Sequence, residues 1–200
     1  QELCVSGNPV GVREMARRLN LEPTRANRLL KTLAHVGIAT QTKNKKYMTG
    51  PAMHVLAAHS IFASGLIRKV VPRLEVFRPH GLLTALGVLW KDYVTYLYHA
   101  TPDMNVAEGI GRVSVYPATK SSIGLILLSH MNSSEVRSLF KNKDIPGFQN
   151  NIKFLLDTLN NIKEKKYALV ENENNHKSIS CAIGDLPIAG IAVSGVMPLK

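Results

Sequence analysis

VREMARRLNLEPTRANRLLKTLAHVGIATQTKNKKYMTG, residues 12–50, is the stretch on which the reading of this chain turns. It holds two short amphipathic segments separated by a polar turn. In the first, Val12, Met15, Ala16 and Leu19 recur at helical spacing, and Arg13, Arg17 and Arg18 take the other side. Asn20 closes that helix, because Asn tolerates the left-handed conformation a helix end needs. Leu21 points back to the core. Pro23 suits a first helical turn, where its missing N–H costs nothing. Ala26, Leu29, Leu30 and Leu33 then form the buried face of the second helix.

Thr24, Arg25, Asn27, Arg28 and Lys31 remain for the outer face of that helix. Arg can pair bidentately with a guanine edge and Asn with an adenine edge. Thr and Lys can hold phosphates, which fixes register without reading sequence. An ordinary solvated helix face has much the same composition, so the flanking elements decide. Gly37 ends the helix, Ile38–Thr42 alternates as a strand, and Lys43-Asn44-Lys45-Lys46 forms a tip. Tyr47-Met48-Thr49 returns before Gly50-Pro51. Lys43, Lys45 and Lys46 at an exposed tip suit contact with a DNA backbone. Helix, turn, helix and basic hairpin in that order predict a winged helix-turn-helix over residues 1–50. Gln1–Cys4 reads as the tail of a preceding helix, so the native N-terminus is expected to lie before Gln1.

Charge points the same way. The chain of 200 residues carries a formal net charge of +11. Residues 1–60 hold nine Lys/Arg against three acids, so the charge density there is more than twice that of the rest. Such a concentration suits a polyanionic partner. Cys4 and Cys181 are far apart and lack metal-ligand spacing, which argues for a reducing compartment and against a disulfide scaffold or zinc site. The apolar runs near 82–90 and 123–128 are too short for a bilayer, and no signal peptide is visible. The expectation is a cytoplasmic protein with no cofactor and no membrane partner.

Beyond Gly50 the pattern changes. Met53–Ala63 is Ala-rich and helical, with Val55, Leu56, His59 and Phe62 on related faces, and predicts a linker helix over 51–65 ending near Gly65. Leu66–Phe77 predicts a helix interrupted near Pro72, a residue that fits a first-turn position. Leu82–Trp90 and Tyr93–His99 predict a hairpin through Lys91-Asp92. Ser121–His130, a segment capped at Ser133 or Ser134, and Ile152–Lys166 predict helices. Ile179–Ile183 and Ile188–Val196 predict the closing strands. Hairpins flanked by helices indicate an α+β domain with a mainly antiparallel sheet over 66–200.

With these elements in order, the chain resembles the IclR-type bacterial transcriptional regulators. The likeness rests on residues 12–41 and on KKYMTGPAM, with the Arg28-Leu29-Leu30 step and Gly37 before the wing. In the second half it rests on PATKSSIGLILLS (117–129), KKYALVENENNHKSISCAI (165–183) and IAVSGV (191–196). The resemblance implies a winged helix-turn-helix, a linker helix and a domain for a small effector, with dimers or tetramers on palindromic operators. By it, the effector pocket uses Ser121, Ser122, Ile123, Glu171, Ile179, Cys181 and Ser194. Backbone N–H groups at a helix start favour an anionic group, Glu171 and Ser194 can hold hydroxyls, and Ile179 supplies an apolar wall. A sugar, sugar acid or small organic acid is the expected effector.

The sequence departs from the family in places. Ser122-Ile123 stand where small residues are common, Leu125 where Lys is common, and Glu171 where Asp is common. Ala192 replaces a frequent Ser. The stretch from Cys181 to Ser194 is shorter than in the family, and a final helix is expected after Lys200.

Residue types also bear on function class. His176 lies in a polar Glu-Asn run and reads as a loop residue. Glu171 and Glu173 could serve as paired acids, but no nucleophile, metal cluster or suitably spaced partner accompanies them. The expected function is therefore a ligand-responsive DNA-binding regulator, a repressor of carbon-source metabolism, and not an enzyme. The alternative is a metabolite-binding module or metabolic enzyme whose basic helices serve a protein partner.

Overall fold

Residues 2–111, 115–171, 175–184 and 187–196 are described by a computed structural model of the chain. Contacts divide it into two units, Gln1–Leu66 and Ile67–Lys200.

The first unit contains α1 (Glu2–Ser6), α2 (Val12–Arg18), α3 (Pro23–His35), the hairpin β1 (Ala39–Gln41) and β2 (Tyr47–Thr49), and α4 (Pro51–Ser64). Asn20 takes the left-handed conformation at φ 49 after α2. Its N–H donates to the Arg17 carbonyl, and Leu21 N–H donates to that of Ala16, which satisfies two otherwise free helix carbonyls. Gly37 does the same after α3 at φ 73, with Gly37 donating to Ala34 and Ile38 to Leu33. The chain then turns directly into β1. Gly50 closes the wing where no side chain fits, since a Cβ there would lie 2.2 Å from the Gly37 carbonyl oxygen.

Val10, Met15, Leu30, Ala39 and Tyr47 form the buried core of this unit. Val10 and Tyr47 exchange two backbone hydrogen bonds of 2.8 Å, which ties the α1–α2 turn to the wing. Leu19 and Leu29, expected in the core, are 44% and 48% exposed. At 3.6 residues per turn Leu29 lies about 100° round the helix from Leu30, and Ala26, Leu30, Leu33 and Ala34 already cover the inward face. The helix α4 buries none of its residues, and Val55, Leu56, Ile61 and Phe62 are exposed. No single helix among the described residues is long and apolar enough to cross a membrane.

The second unit begins with α5 (Leu66–Leu74) and a 3₁₀ turn over Glu75–His80. Pro72 sits inside α5 rather than in its first turn, and the helix tightens into the 3₁₀ turn three residues later. There follow β3 (Leu83–Trp90), β4 (Tyr93–Ala100), α6 (Val106–Gly109), β5 (Tyr116–Pro117), α7 (Ser122–Leu128), α8 (Ser133–Leu139), α9 (Ile152–Lys165), β6 (Ala168–Glu171), β7 (His176–Ile183) and β8 (Ala189–Val196). Asn132, not Ser133 or Ser134, caps α8, because Asn132 and Glu135 form a reciprocal capping box.

The strands form one antiparallel sheet in the order β5-β4-β3-β8-β7-β6. The α+β class with a mainly antiparallel sheet is as the sequence implies. Every residue of α7 is buried on one sheet face, and α9 packs Leu155, Leu156, Leu159 and Ile162 into the same core. Each of those fully buried Leu or Ile side chains contributes about 1.5–3 kcal/mol. Glycines let α7 approach closely: a Cβ on Gly190 would lie 2.9 Å from Ile123 Cγ2.

Candidate nucleic-acid interface and ligand cavity

Helix α3 presents Thr24, Arg25, Arg28 and Lys31 to solvent, while Asn27 is half-buried at the edge of the packed face. Thr24, Arg28, Lys31 and His35 follow one helical line, and all are exposed. His35 was not expected there, although the i+4 step from Lys31 was legible. Thr32 turns its hydroxyl back to the Arg28 carbonyl at 3.1 Å, so it is occupied by the helix itself. Lys43, Lys45 and Lys46 are exposed at the wing tip. The tip is held by Thr42, whose N–H donates to the Lys46 carbonyl at 2.8 Å and whose carbonyl accepts from Lys45 N–H at 2.9 Å.

On α2, Glu14 pairs with Arg18 at 2.8 Å and with Arg17. Hydrogen bonds from the two guanidiniums, Arg18 first, hold the Glu14 carboxyl below the usual carboxylate range.

The second unit contains a cavity of about 360 Å³ between α7 and the sheet. Leu83 and Ala85 of β3, Ala192 of β8 and Val170 of β6 supply its apolar walls. Ser121, Ser122, Ser178 and Ser194 supply hydroxyls. The Ser194 hydroxyl donates to Ser178 Oγ at 2.8 Å, and Ser178 and Ser122 share a further hydrogen bond of 2.8 Å. This three-hydroxyl chain crosses from strand to helix. Ser121 caps α7 by accepting the Gly124 N–H at 3.2 Å, and it is 3.0 Å from the Tyr96 hydroxyl. Burial pushes the Tyr96 hydroxyl up from its ordinary value, against a lowering by Ser121, so the Tyr96 hydroxyl stays neutral. His99 meets the Tyr96 ring edge-on, at 5.5 Å between centroids. Tyr116, Lys120, His176 and Lys177 complete the lining. Among the described residues, the lining includes two lysines and no carboxylate.

The seven residues expected to form one pocket are distributed over four places. Ser121, Ser122 and Ser194 line the cavity. Ile123 is 1% exposed and packs in the core against the glycines of β3 and β8. Ile179 and Cys181 lie on the opposite sheet face, because side chains alternate along β7 and Ser178 and Ser180 take the helix side. There they line a separate apolar cavity of about 220 Å³ with Leu74, Phe77, Ile191 and Val193. Burial raises the Cys181 thiol from its ordinary value. Glu171 is outside both cavities and faces water, 3.9 Å from Lys177 Nζ. Glu173 lies outside the described residues.

His176, read as a loop residue, instead opens β7 and reaches the cavity. Tyr96, His99, Tyr116, Lys120, Lys177 and Ser178 are cavity residues the sequence did not single out. All but Lys120 come from strands whose pairing and bulge set which side chains share a face. Only the position of Lys120 next to Ser121 offered a signal. Among the described residues, no group of three or more His, Cys, Asp or Glu is placed to hold a metal ion.

No family model matches the chain. A curated relative, the HTH-type transcriptional regulator BhcR of Paracoccus denitrificans, is 25% identical over 207 aligned positions, covering 98% of this chain and 72% of the relative. A putative IclR transcriptional regulator from a Silicibacter species superposes with a TM-score of 0.74 at 18% identity, covering 93% of this chain and 78% of that one. An IclR homologue from Microbacterium hydrocarbonoxydans, solved with 4-hydroxybenzoate, superposes with a TM-score of 0.63 at 21% identity, covering 96% and 84%. Along nearly its whole length the chain therefore has the fold of the IclR-type transcriptional regulators, the group to which its sequence resemblance also points.

Proposed function

We propose that this chain is a ligand-responsive transcriptional regulator that binds duplex DNA through α3 and the wing. The observation that carries this reading is the outer face of α3, where Thr24, Arg25, Arg28 and Lys31 stand exposed beside a lysine-rich hairpin. Arg28 reads a base edge, and the flanking cations hold phosphates. The regulator named among the curated relatives and the IclR-type fold support the same function.

The cavity under α7 takes the effector. Two lysines, two tyrosines and a chain of serine hydroxyls, with no carboxylate among the described lining residues, favour a small organic anion over a cation or a neutral sugar. A structural relative solved with 4-hydroxybenzoate supports a carboxylate of that size. Ligand binding shifts the population of DNA-competent states by its differential affinity for them. The apolar helix α4, with none of its residues buried, supports assembly as a homodimer, which would read a palindromic operator.

The reading is tested by titrating a random-sequence duplex with the full chain at low and moderate salt. Salt-dependent retention is expected. Absence of any binding at low salt would overturn the proposal and favour a metabolite-binding module whose basic helices serve a protein partner.

A further inference from the structure

Tyr96 and Tyr98 reach opposite faces of the sheet, although a single residue separates them in β4. A regular strand would place both on one face. The register against β3 explains the difference. Tyr98 pairs with Leu86 and Tyr96 with the next residue, Gly87, so Leu97 is an extra residue in the ladder. Tyr96 therefore reaches the cavity, where its hydroxyl is 3.0 Å from Ser121 Oγ. Tyr98 reaches the far side, where its hydroxyl donates to the Glu75 carboxylate. The bulged Leu97 is itself held, its carbonyl accepting the Gly111 N–H at 3.1 Å. One residue thus joins the cavity to the 3₁₀ turn that continues α5.

The far end of this connection can take two arrangements. Glu75 receives Tyr98 on one carboxylate oxygen and Arg78 Nη1, at 2.6 Å, on the other. Arg78 Nη2 donates to the Pro102 carbonyl at 3.1 Å. Arg78 Nε is buried and has no hydrogen-bond partner among the described residues. A buried donor left without an acceptor calls for an explanation. Arginine grips a carboxylate best through two parallel N–H groups, and here Tyr98 occupies the second oxygen. Once Tyr98 withdraws, a turn of the guanidinium presents Nε and Nη2 to both oxygens, and the exposed Pro102 is left to water. The first arrangement orphans Arg78 Nε and the second the Tyr98 hydroxyl, so each carries a penalty of the same kind.

We propose that the bulge Tyr96–Leu97–Tyr98 is the transmission element of the regulator: an effector that takes Ser121 from Tyr96 tips Glu75 and Arg78 from the Tyr98-bound arrangement to the two-pronged one. The proposal rests on the reading of the cavity as the effector site. Glu75 opens the turn that continues α5, and α5 begins at Leu66, where the first unit ends. The shift is therefore passed along one continuous helical segment of chain. The effector moves the balance only by its differential affinity for the two arrangements. An element with two discrete states, biased from both ends, is what coupling between distant sites requires.

The test follows the Arg78 Nε–H signal by nitrogen-edited proton NMR of the unliganded full chain, the signal being assigned by its loss in Arg78→Lys. Tyr98→Phe is expected to move it downfield, as a new hydrogen bond to a carboxylate does. Tyr96→Phe, on the opposite sheet face, is expected to move it the same way by a smaller shift. Ser121→Ala removes the partner of Tyr96 without altering β4, and it decides if Tyr96→Phe does not fold. Tyr93→Phe deletes a hydroxyl from the same strand away from the bulge and is expected to leave the signal in place. A signal that stays put in Tyr98→Phe overturns the two arrangements. One that moves in Tyr98→Phe but in neither Tyr96→Phe nor Ser121→Ala overturns transmission through the bulge. One that moves equally in Tyr93→Phe reports general loosening and overturns it as well. These outcomes need neither effector nor DNA, so a wild-type chain that binds no duplex overturns the regulator reading separately.

Discussion

The Tyr98 hydroxyl donates a hydrogen bond to the Glu75 carboxylate, whose other oxygen receives Arg78 Nη1 at 2.6 Å. Arg78 also donates to the Pro102 carbonyl at 3.1 Å. Tyr98 is fully buried on the sheet face opposite α7, so this triad anchors the 3₁₀ turn to β4. Removing Tyr98 alone leaves Glu75 still paired with Arg78. Removing Glu75 leaves both a buried phenol and a nearly buried guanidinium without their acceptor. Tyr98→Phe is therefore expected to cost about 1 kcal/mol, and Glu75→Ala about 2–3 kcal/mol, in chemical denaturation. Equal losses would show that the carboxylate is not the hub.

The same triad sets an alkaline limit. Burial, and then the hydrogen bond to Glu75, raises the Tyr98 hydroxyl above its ordinary value of 10.0. Burial raises Tyr96 as well. The folded chain therefore holds these protons more tightly than the unfolded one. Their contribution is fully present below about pH 10 and is lost as pH rises through the folded values. Melting temperature is expected to fall above about pH 10, and Tyr98→Phe to flatten that fall. A parallel decline in the variant would exclude Tyr98 as a source.

Gly124 decides how closely α7 can approach the turn before it. A Cβ there would lie 2.1 Å from the Ala118 carbonyl oxygen and 2.5 Å from its Cα, both backbone atoms. Alanine in place of glycine gains about 1 kcal/mol of helix propensity. Overpacking against backbone typically costs 1–3 kcal/mol or more, so Gly124→Ala is expected to destabilise by about 1–2 kcal/mol net. Because Ser121 and Ser122 are fixed by the same turn, ligand affinity should fall with it. A variant as stable as wild type would show that the helix start can shift freely.

For the cavity, thermal shift against a panel of small carboxylates, amines and neutral sugars is expected to show stabilisation by carboxylates alone. A ligand present at 100 times its Kd adds about 2.7 kcal/mol. Lys120→Gln should weaken the responsive carboxylate by about 1.5–3 kcal/mol, the range for a hydrogen bond to a charged group. Glu171→Gln should leave it unchanged, since Glu171 faces water beside Lys177. Loss of response in Glu171→Gln with Lys120→Gln unaffected would return the site to the arrangement expected from sequence.

At the DNA interface, Arg28→Ala is expected to weaken operator binding by about 1–3 kcal/mol and to relax specificity at one position. The salt slope should change little if Arg28 reads a base. Uniform weakening on operator and random duplex in a gel-shift titration would make Arg28 a phosphate contact instead.

Residues 12–50 could be read almost entirely from sequence because their order is local. Asn20 and Gly37 end helices through backbone conformation, Pro23 opens one, and the tip lysines follow from the hairpin. Where the reading of this stretch went astray, at Leu19 and Leu29, the inward face was already filled by closer neighbours. The helices α7 and α9 and the hairpin of β3 and β4 were legible for the same reason: periodicity is a property of contiguous residues.

The cavity was a different problem. Ser121 and Ser122 could be found at a helix start, but Ile179 and Cys181 could not be assigned a side without the register of β7 against β6 and β8. A shift of one residue exchanges the two faces of a strand. The β-bulge between Leu86 and Gly87, opposite Tyr96 and Tyr98, brings Tyr96 and His99 to the same face. The sequence by itself thus determined the helix-turn-helix, the wing and the α+β class, because local spacing and turn chemistry encode them. Which side chains meet in the ligand cavity was decided only by the tertiary structure, because strand pairing between residues tens of positions apart selects the face each one occupies.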